Sequence, residues 1–151
     1  MKEFLSINDI LDFAIINEQK AVDFYINLSQ RFNDKILRKS FEDFAKEEMG
    51  HKARLTQIKE TGLYEMKTED VQDLKIADYL VRAEPTKDMS YADALRLAMK
   101  REKAAYRLYL VLAEKAPNDG MKNLFNGLAQ EEAKHKLRFE IEYDDFILKE
   151  N

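Results

Sequence analysis

The sequence predicts an all-α domain: a four-helix bundle built from two copies of one helical hairpin joined by a long crossover. Three observations carry this. Only four Gly and two Pro among 151 residues leave little material for turns, while long stretches are rich in the helix formers Ala, Leu, Glu and Lys. Apolar residues recur at alternating four- and three-residue steps along four separate stretches, the spacing of one buried helix face. Finally, residues 14–55 align without a gap on residues 98–139 with twelve identities, each pair separated by 84 positions. They include Glu18/Glu102, Tyr25/Tyr109, Phe41/Phe125, Glu48/Glu132 and His51/His135. A repeat of this length is the mark of a duplicated supersecondary unit.

The elements follow in order. Ser6-Ile7-Asn8-Asp9 reads as a capping box, opening a first helix expected over about residues 7–32. Its inward stripe is Ile7, Leu11, Ala14, Glu18, Ala21, Tyr25, Leu28 and Phe32. Asn33-Asp34 interrupts the pattern, and Asp34 can cap a second helix over about 34–61. That helix carries Leu37, Phe41, Phe44, Glu48, His51, Leu55 and Ile58, and Thr61-Gly62 ends it.

Ser90-Tyr91-Ala92-Asp93 is a second capping box, opening a third helix over about 91–116 with Tyr91, Leu95, Ala98, Glu102, Ala105, Tyr109, Leu112 and Ala116 inward. Pro117-Asn118-Asp119-Gly120 reads as a turn. The fourth helix, over about 119–148, places Met121, Phe125, Leu128, Glu132, His135 and Phe139 on its stripe. Short joints make each pair an antiparallel hairpin. The connection from about 63 to 89 is long enough to run back along a bundle ~40 Å tall, and Val71–Leu80 within it has the pattern of a short amphipathic helix. The whole of residues 1–151 is expected to form a single domain.

The chain has two histidines, and each closes a Glu-x-x-His tetrad: Glu48–His51 and Glu132–His135. A further glutamate, Glu18 or Glu102, lies thirty residues before each tetrad's own. Glu18 and Glu48 are equally far from residue 33, and Glu102 and Glu132 equally far from Pro117, so each antiparallel hairpin brings its pair to one height. The i, i+3 spacing sets each histidine beside its glutamate on the same helix face. All six groups sit on otherwise apolar stripes and are expected to converge.

Taken singly, an inward Glu is most often a snorkelling side chain, and an inward His a hydrogen-bonded core residue. Neither accounts for six such residues at one level. Four carboxylates buried together without cations would carry a prohibitive desolvation cost or be driven to protonate. The set therefore predicts metal ligation. Four glutamates and two neutral histidines balance two divalent cations, and hard oxygens with one imidazole per ion favour iron, with manganese as the other candidate. One arrangement puts Glu18 and His51 on one metal, Glu102 and His135 on the other, and Glu48 and Glu132 between them. Few protein ligands per ion would leave positions open to a small oxidant or water.

Tyr25 and Tyr109 lie seven residues beyond Glu18 and Glu102 on the same faces. They can hydrogen-bond the ligating carboxylates or serve as core aromatics. Glu47 and Glu131, four residues before the histidines, can accept a ring N–H from a facing helix or act as solvated surface acids. The outward apolar residues Phe13, Ile16 and Phe24 point to a homodimer interface or to packing beneath the crossover.

A net charge of −4 with no basic surplus argues against nucleic acid and anionic membrane as partners. Without cysteine there is no disulfide, no thiolate nucleophile and no sulfur-held iron. The amino terminus lacks an apolar signal region and no stretch approaches 18 apolar residues, so a cytoplasmic protein is expected.

Glu18, Glu48-Met49-Gly50-His51, Glu102 and Glu132-Ala133-Lys134-His135, with Tyr25 and Tyr109, resemble the ferritin-like di-iron carboxylate proteins, and specifically their rubrerythrin-like branch. The resemblance spans nearly the whole chain. It implies a four-helix bundle with a long crossover, a non-haem di-iron centre and reaction with peroxide or dioxygen. Two departures stand out. Rubrerythrins usually carry a rubredoxin module whose iron is held by four cysteines, and this sequence has none. They also place a second carboxylate three residues after the third helix's glutamate, where this chain has Ala105. Bacterioferritins share the simpler six-ligand set, and some bind haem through a methionine where Met49 stands; an outward or crossover-packing methionine is the simpler reading.

The expectation is an oxidoreductase that reduces peroxide or dioxygen in oxidative-stress protection, with electrons from an external redox donor. The alternative is an iron-binding, ferroxidase or storage protein of the bacterioferritin type, although about eleven residues after Glu140 leave little room for the fifth helix usual in storage cages. A metal-stabilised bundle without turnover is the third reading.

Overall fold

The computed structural model describes residues 4–31, 33–81 and 83–150. Its elements are α1 (Ile7–Ser29), α2 (Lys35–Thr61), α3 (Thr68–Asp73), a 3-10 turn (Ile76–Tyr79), α4 (Tyr91–Glu114) and α5 (Asp119–Glu150). The described residues are helical or irregular, with no strand. Two compact units are present, Met1–Asp73 and Leu74–Asn151.

In the first unit α1 packs along α2. The capping box forms in full: the Ser6 side chain accepts from the Asp9 amide, and the Asp9 carboxylate accepts from the Ser6 amide. Asp34 caps α2, its carboxylate accepting from the Ile36 and Leu37 amides. Gly62 ends α2 at φ 65°, the left-handed region in which a missing Cβ removes the steric penalty. Cross-helix contacts fix the direction of the pair. Asp12 meets Lys59, Gln19 meets Lys52 and Tyr25 meets Phe44, so residue numbers rise along α1 as they fall along α2. The helices are antiparallel, and Ile10, Leu11, Ala14, Leu28, Phe41, Ala45, Leu55 and Ile58 are buried.

The first helix is shorter than the sequence predicts, ending at Ser29; Phe32 lies outside the described residues. The Ser29 hydroxyl donates to the Ile26 carbonyl, a local bond that competes with the helix ladder at its end. Two of the three residues expected to face outward do not. Phe24 is buried against Tyr25, and Phe13 is half-buried with its ring edge-on to Phe4 at 5.5 Å. The apolar face of α1 is wider than a strict 3.5-residue stripe, since Val22 and Phe24 join Ala21 and Tyr25 in burial. Ile16 alone of the three is exposed.

In the second unit α4 packs along α5. Ser90 caps α4, accepting from the Asp93 amide. The Asn118 side chain accepts from the Met121 amide at 2.9 Å and caps α5, so Asp119 and Gly120 belong to the helix rather than to a turn. Tyr91 stacks edge-on with Phe146, Arg96 reaches Tyr143, and Tyr109 meets Phe125. Numbers again rise along one helix and fall along the other.

The connection corrects one expectation. Val71–Leu80 is not a single helix. Lys75 takes a left-handed conformation at φ 51°, which ends α3 and starts a separate 3-10 turn. Val71 and Ile76, one on each side of this break, are both buried.

Candidate metal centre

Each hairpin carries one set of three ligand candidates, and each set is brought together by helix geometry alone. In the first hairpin Glu18 comes from the middle of α1, and Glu48 and His51 from one face of α2. Each of the three offers a donor atom lying within 4.8 Å of the others. His51 Nδ1 is 3.6 Å from Glu18 Oε2 and 3.9 Å from Glu48 Oε1. In the second hairpin Glu102 of α4 and Glu132 and His135 of α5 meet the same condition. There His135 Nδ1 is 3.7 Å from Glu102 Oε1.

All six residues are at most 2% exposed, which decides between a solvated face and an interior site. Two carboxylates and an imidazole per hairpin are thus held out of water. Buried donor atoms that make no hydrogen bond include Glu18 Oε2, Glu48 Oε1, His51 Nδ1, Glu102 Oε2, Glu132 Oε1 and His135 Nδ1. Ligand atoms bound to one cation at ~2.1 Å lie roughly 3–4.2 Å apart. The histidine–glutamate separations fall in that range. Oxygen-rich sets with one imidazole suit iron or manganese.

The surroundings of these triads separate the remaining candidates. Tyr25 and Tyr109 are each 1% exposed. Tyr25 packs edge-on against Phe44, and Tyr109 lies tilted against Phe125. Glu47 is exposed whereas Glu131 is half-buried, so this repeated pair is not equivalent. Met49 is 55% exposed on the outer side of α2. No helix among the described residues is long and apolar enough to cross a membrane.

One feature beside the candidate ligands escapes sequence reading. The Lys52 ammonium donates to Gln19 Oε1 at 2.7 Å, joining α1 to α2 next to Glu18 and His51. Gln19 in turn donates to Asp23 at 3.0 Å. The identity of Lys52 and Lys136 in the repeat is the signal that could have drawn attention to it.

A sequence model of the rubrerythrin family matches residues 9–143. The chain belongs to the rubrerythrin family. Among solved structures, a hypothetical protein from Pyrococcus furiosus is similar at 26% identity and a TM-score of 0.72, covering 92% of this chain and 89% of that one. A Thermotoga maritima protein, provisionally assigned as a ferritin-like diiron-carboxylate protein, has a TM-score of 0.72 at 20% identity, covering 95% of this chain and 98% of that one. No curated protein matches by sequence. The rubrerythrin match and these neighbours establish an all-α, ferritin-like four-helix fold with a long connection between two hairpins. Within this family a buried Glu/His cluster is the feature suited to iron.

Proposed function

We propose that this chain is a non-haem di-iron protein that reduces peroxide or dioxygen with electrons from a separate carrier, as one part of protection against oxidants. The observation that carries the reading is the pair of buried Glu/Glu/His triads in a rubrerythrin-family chain. Glu18, Glu48, His51, Glu102, Glu132 and His135 would hold the two ions. Four carboxylates then balance two divalent charges, which removes the desolvation penalty of the empty set. Bound iron supplies a redox couple and coordination positions that no protein group fills.

The chain's own residues do the rest. Burial of all six side chains keeps bulk water from the ligands and strengthens their attraction for a cation. Tyr25 and Tyr109, buried on the same helix faces, would steady the carboxylates and restrict access. These 151 residues hold no cysteine for a sulfur-ligated iron, and a separate redox donor is the electron source in this reading. Manganese is the alternative metal, and a homodimer the expected assembly.

Anaerobic loading with two equivalents of ferrous iron, followed by peroxide, tests the reading through absorbance and peroxide consumption. Iron oxidation with repeated turnover in the presence of a reductant is expected. One oxidation without turnover would favour the ferroxidase reading, and no oxidation would remove the enzyme. Glu18→Ala and His135→Ala should each lower metal content below two per chain; unchanged content would refute the ligand assignment.

A further inference from the structure

We infer that the Gln19–Lys52 pair is a positioning device that makes the Glu18/His51 position the tighter of the two, so that a divalent cation fills it before the Glu102/His135 position. The inference rests on the two-ion reading above. It starts from a departure within the repeat. Lys52 and Lys136 are equivalent positions, each directly after a ligand histidine. Lys52 crosses to α1 and donates to Gln19, the residue after the ligand Glu18. The equivalent of Gln19 is Lys103, a second cation, to which Lys136 cannot donate. Lys136 instead pairs with Glu140 on its own helix, and Lys103 is exposed.

Two consequences point the same way. The first is geometric. A 2.7 Å bond ties the ligand-bearing turns of α1 and α2 together, with Gln19 held from its other end by Asp23. Glu18 and His51 therefore have less freedom to lose when an ion arrives. At the equivalent position of the second hairpin, Lys136 pairs along its own helix with Glu140.

The second consequence is electrostatic. Positions 19, 23, 52 and 56 hold Gln, Asp, Lys and Thr, one negative and one positive charge, net zero. Their equivalents 103, 107, 136 and 140 hold Lys, Arg, Lys and Glu, three positive charges and one negative, net +2. Nearby differences offset one another: Lys20 faces Ala104 in the alignment and Ile16 faces Lys100, while Arg101, in place of Asn17, is neutralised by Glu84. Exposed cations about 10 Å from a divalent ion weaken its binding by roughly threefold after salt screening. Pre-organisation adds to this, giving an expected difference of about tenfold.

The probe is cobalt(II) under anaerobic conditions, followed by ligand-field absorbance and by direct metal analysis after equilibrium dialysis. The unmodified chain should bind two ions in two steps about tenfold apart. His135→Ala should keep the tighter step and His51→Ala the weaker. Gln19→Lys, which copies the second hairpin, should weaken the first step by roughly three- to tenfold. Gln19→Glu retains an acceptor for Lys52 and should preserve that step; Lys103→Gln should strengthen the second. Helix content of each metal-free variant by circular dichroism identifies any that fails to fold. Two equal sites, or Gln19→Lys leaving the first step unchanged while Gln19→Glu behaves likewise, would overturn the inference and leave the two-ion reading standing. Fewer than two ions in the unmodified chain would overturn both.

Discussion

The first and second hairpins are two renderings of one pattern, and the places where they differ show which features the fold leaves free. Glu18, Glu48 and His51 have identical counterparts, and every one of the six is buried. The rung about two helical turns away from them is treated differently. In the first hairpin Lys59 pairs with Asp12 at 2.6 Å. At the equivalent positions of the second hairpin, Arg96 donates to the Tyr143 hydroxyl at 2.7 Å and lies over its ring. An antiparallel pair brings these positions together whatever they carry, so the rung is kept and its chemistry drifts. At the level of the buried glutamates and histidines the chemistry itself is fixed. The ends differ in a third way. Gly62 stops α2, whereas its counterpart Phe146 lets α5 continue and packs on Tyr91.

The largest expected effect tests whether the two hairpins are equal as cores. Phe41 and Phe125 are counterparts, 2% and 0% exposed. Phe41→Ala and Phe125→Ala should each cost about 3–5 kcal/mol, from lost burial and the cavity left behind. Guanidinium denaturation of matched samples measures this. A difference above 2 kcal/mol between them would mean that one hairpin relaxes into its cavity and the other does not.

A smaller effect concerns helix ends. Gly62→Ala places a Cβ on a left-handed residue at φ 65°, although nothing lies within 4 Å of that Cβ. The cost is thus conformational rather than steric crowding, about 1 kcal/mol. The same melts measure it, and a neutral result would show that the end of α2 rearranges freely.

Much of this was legible in the sequence because its causes are local. The 3.5-residue spacing and the side chains of Ser6, Asp34 and Ser90 each act within one or two turns of helix, so element order followed from them. The buried Glu/His set was legible because duplication printed it twice. What stayed hidden depends on contacts made across elements or on backbone states with no residue signal. Lys75 turns left-handed without being Gly, Asn or Asp, so the break between α3 and the 3-10 turn gave no warning. Asn118 looked like part of a turn, and only its bond to the Met121 amide makes it a cap. The Gln19–Lys52 bond joins residues 33 apart, and neither residue type alone announces a partner.

The smallest effect sharpens the comparison of the two rungs. The Asp12 and Lys59 side chains are each 38% exposed, so their attraction works largely through water. A double-mutant cycle with Asp12→Ala and Lys59→Ala should give a coupling of ~0.2–1 kcal/mol at low salt. Raising the ionic strength from 0.05 to 0.5 M should remove most of it, since the screening length falls to about 4 Å. The Arg96–Tyr143 rung pairs a cation with a neutral phenol and its ring, so its coupling should change far less over the same range. Arg96 is also held above its usual range by Tyr143 first and by Asp93 second. If both couplings fell together with salt, Asp93 rather than Tyr143 would be the partner that matters to Arg96, and the second rung would be an ion pair like the first.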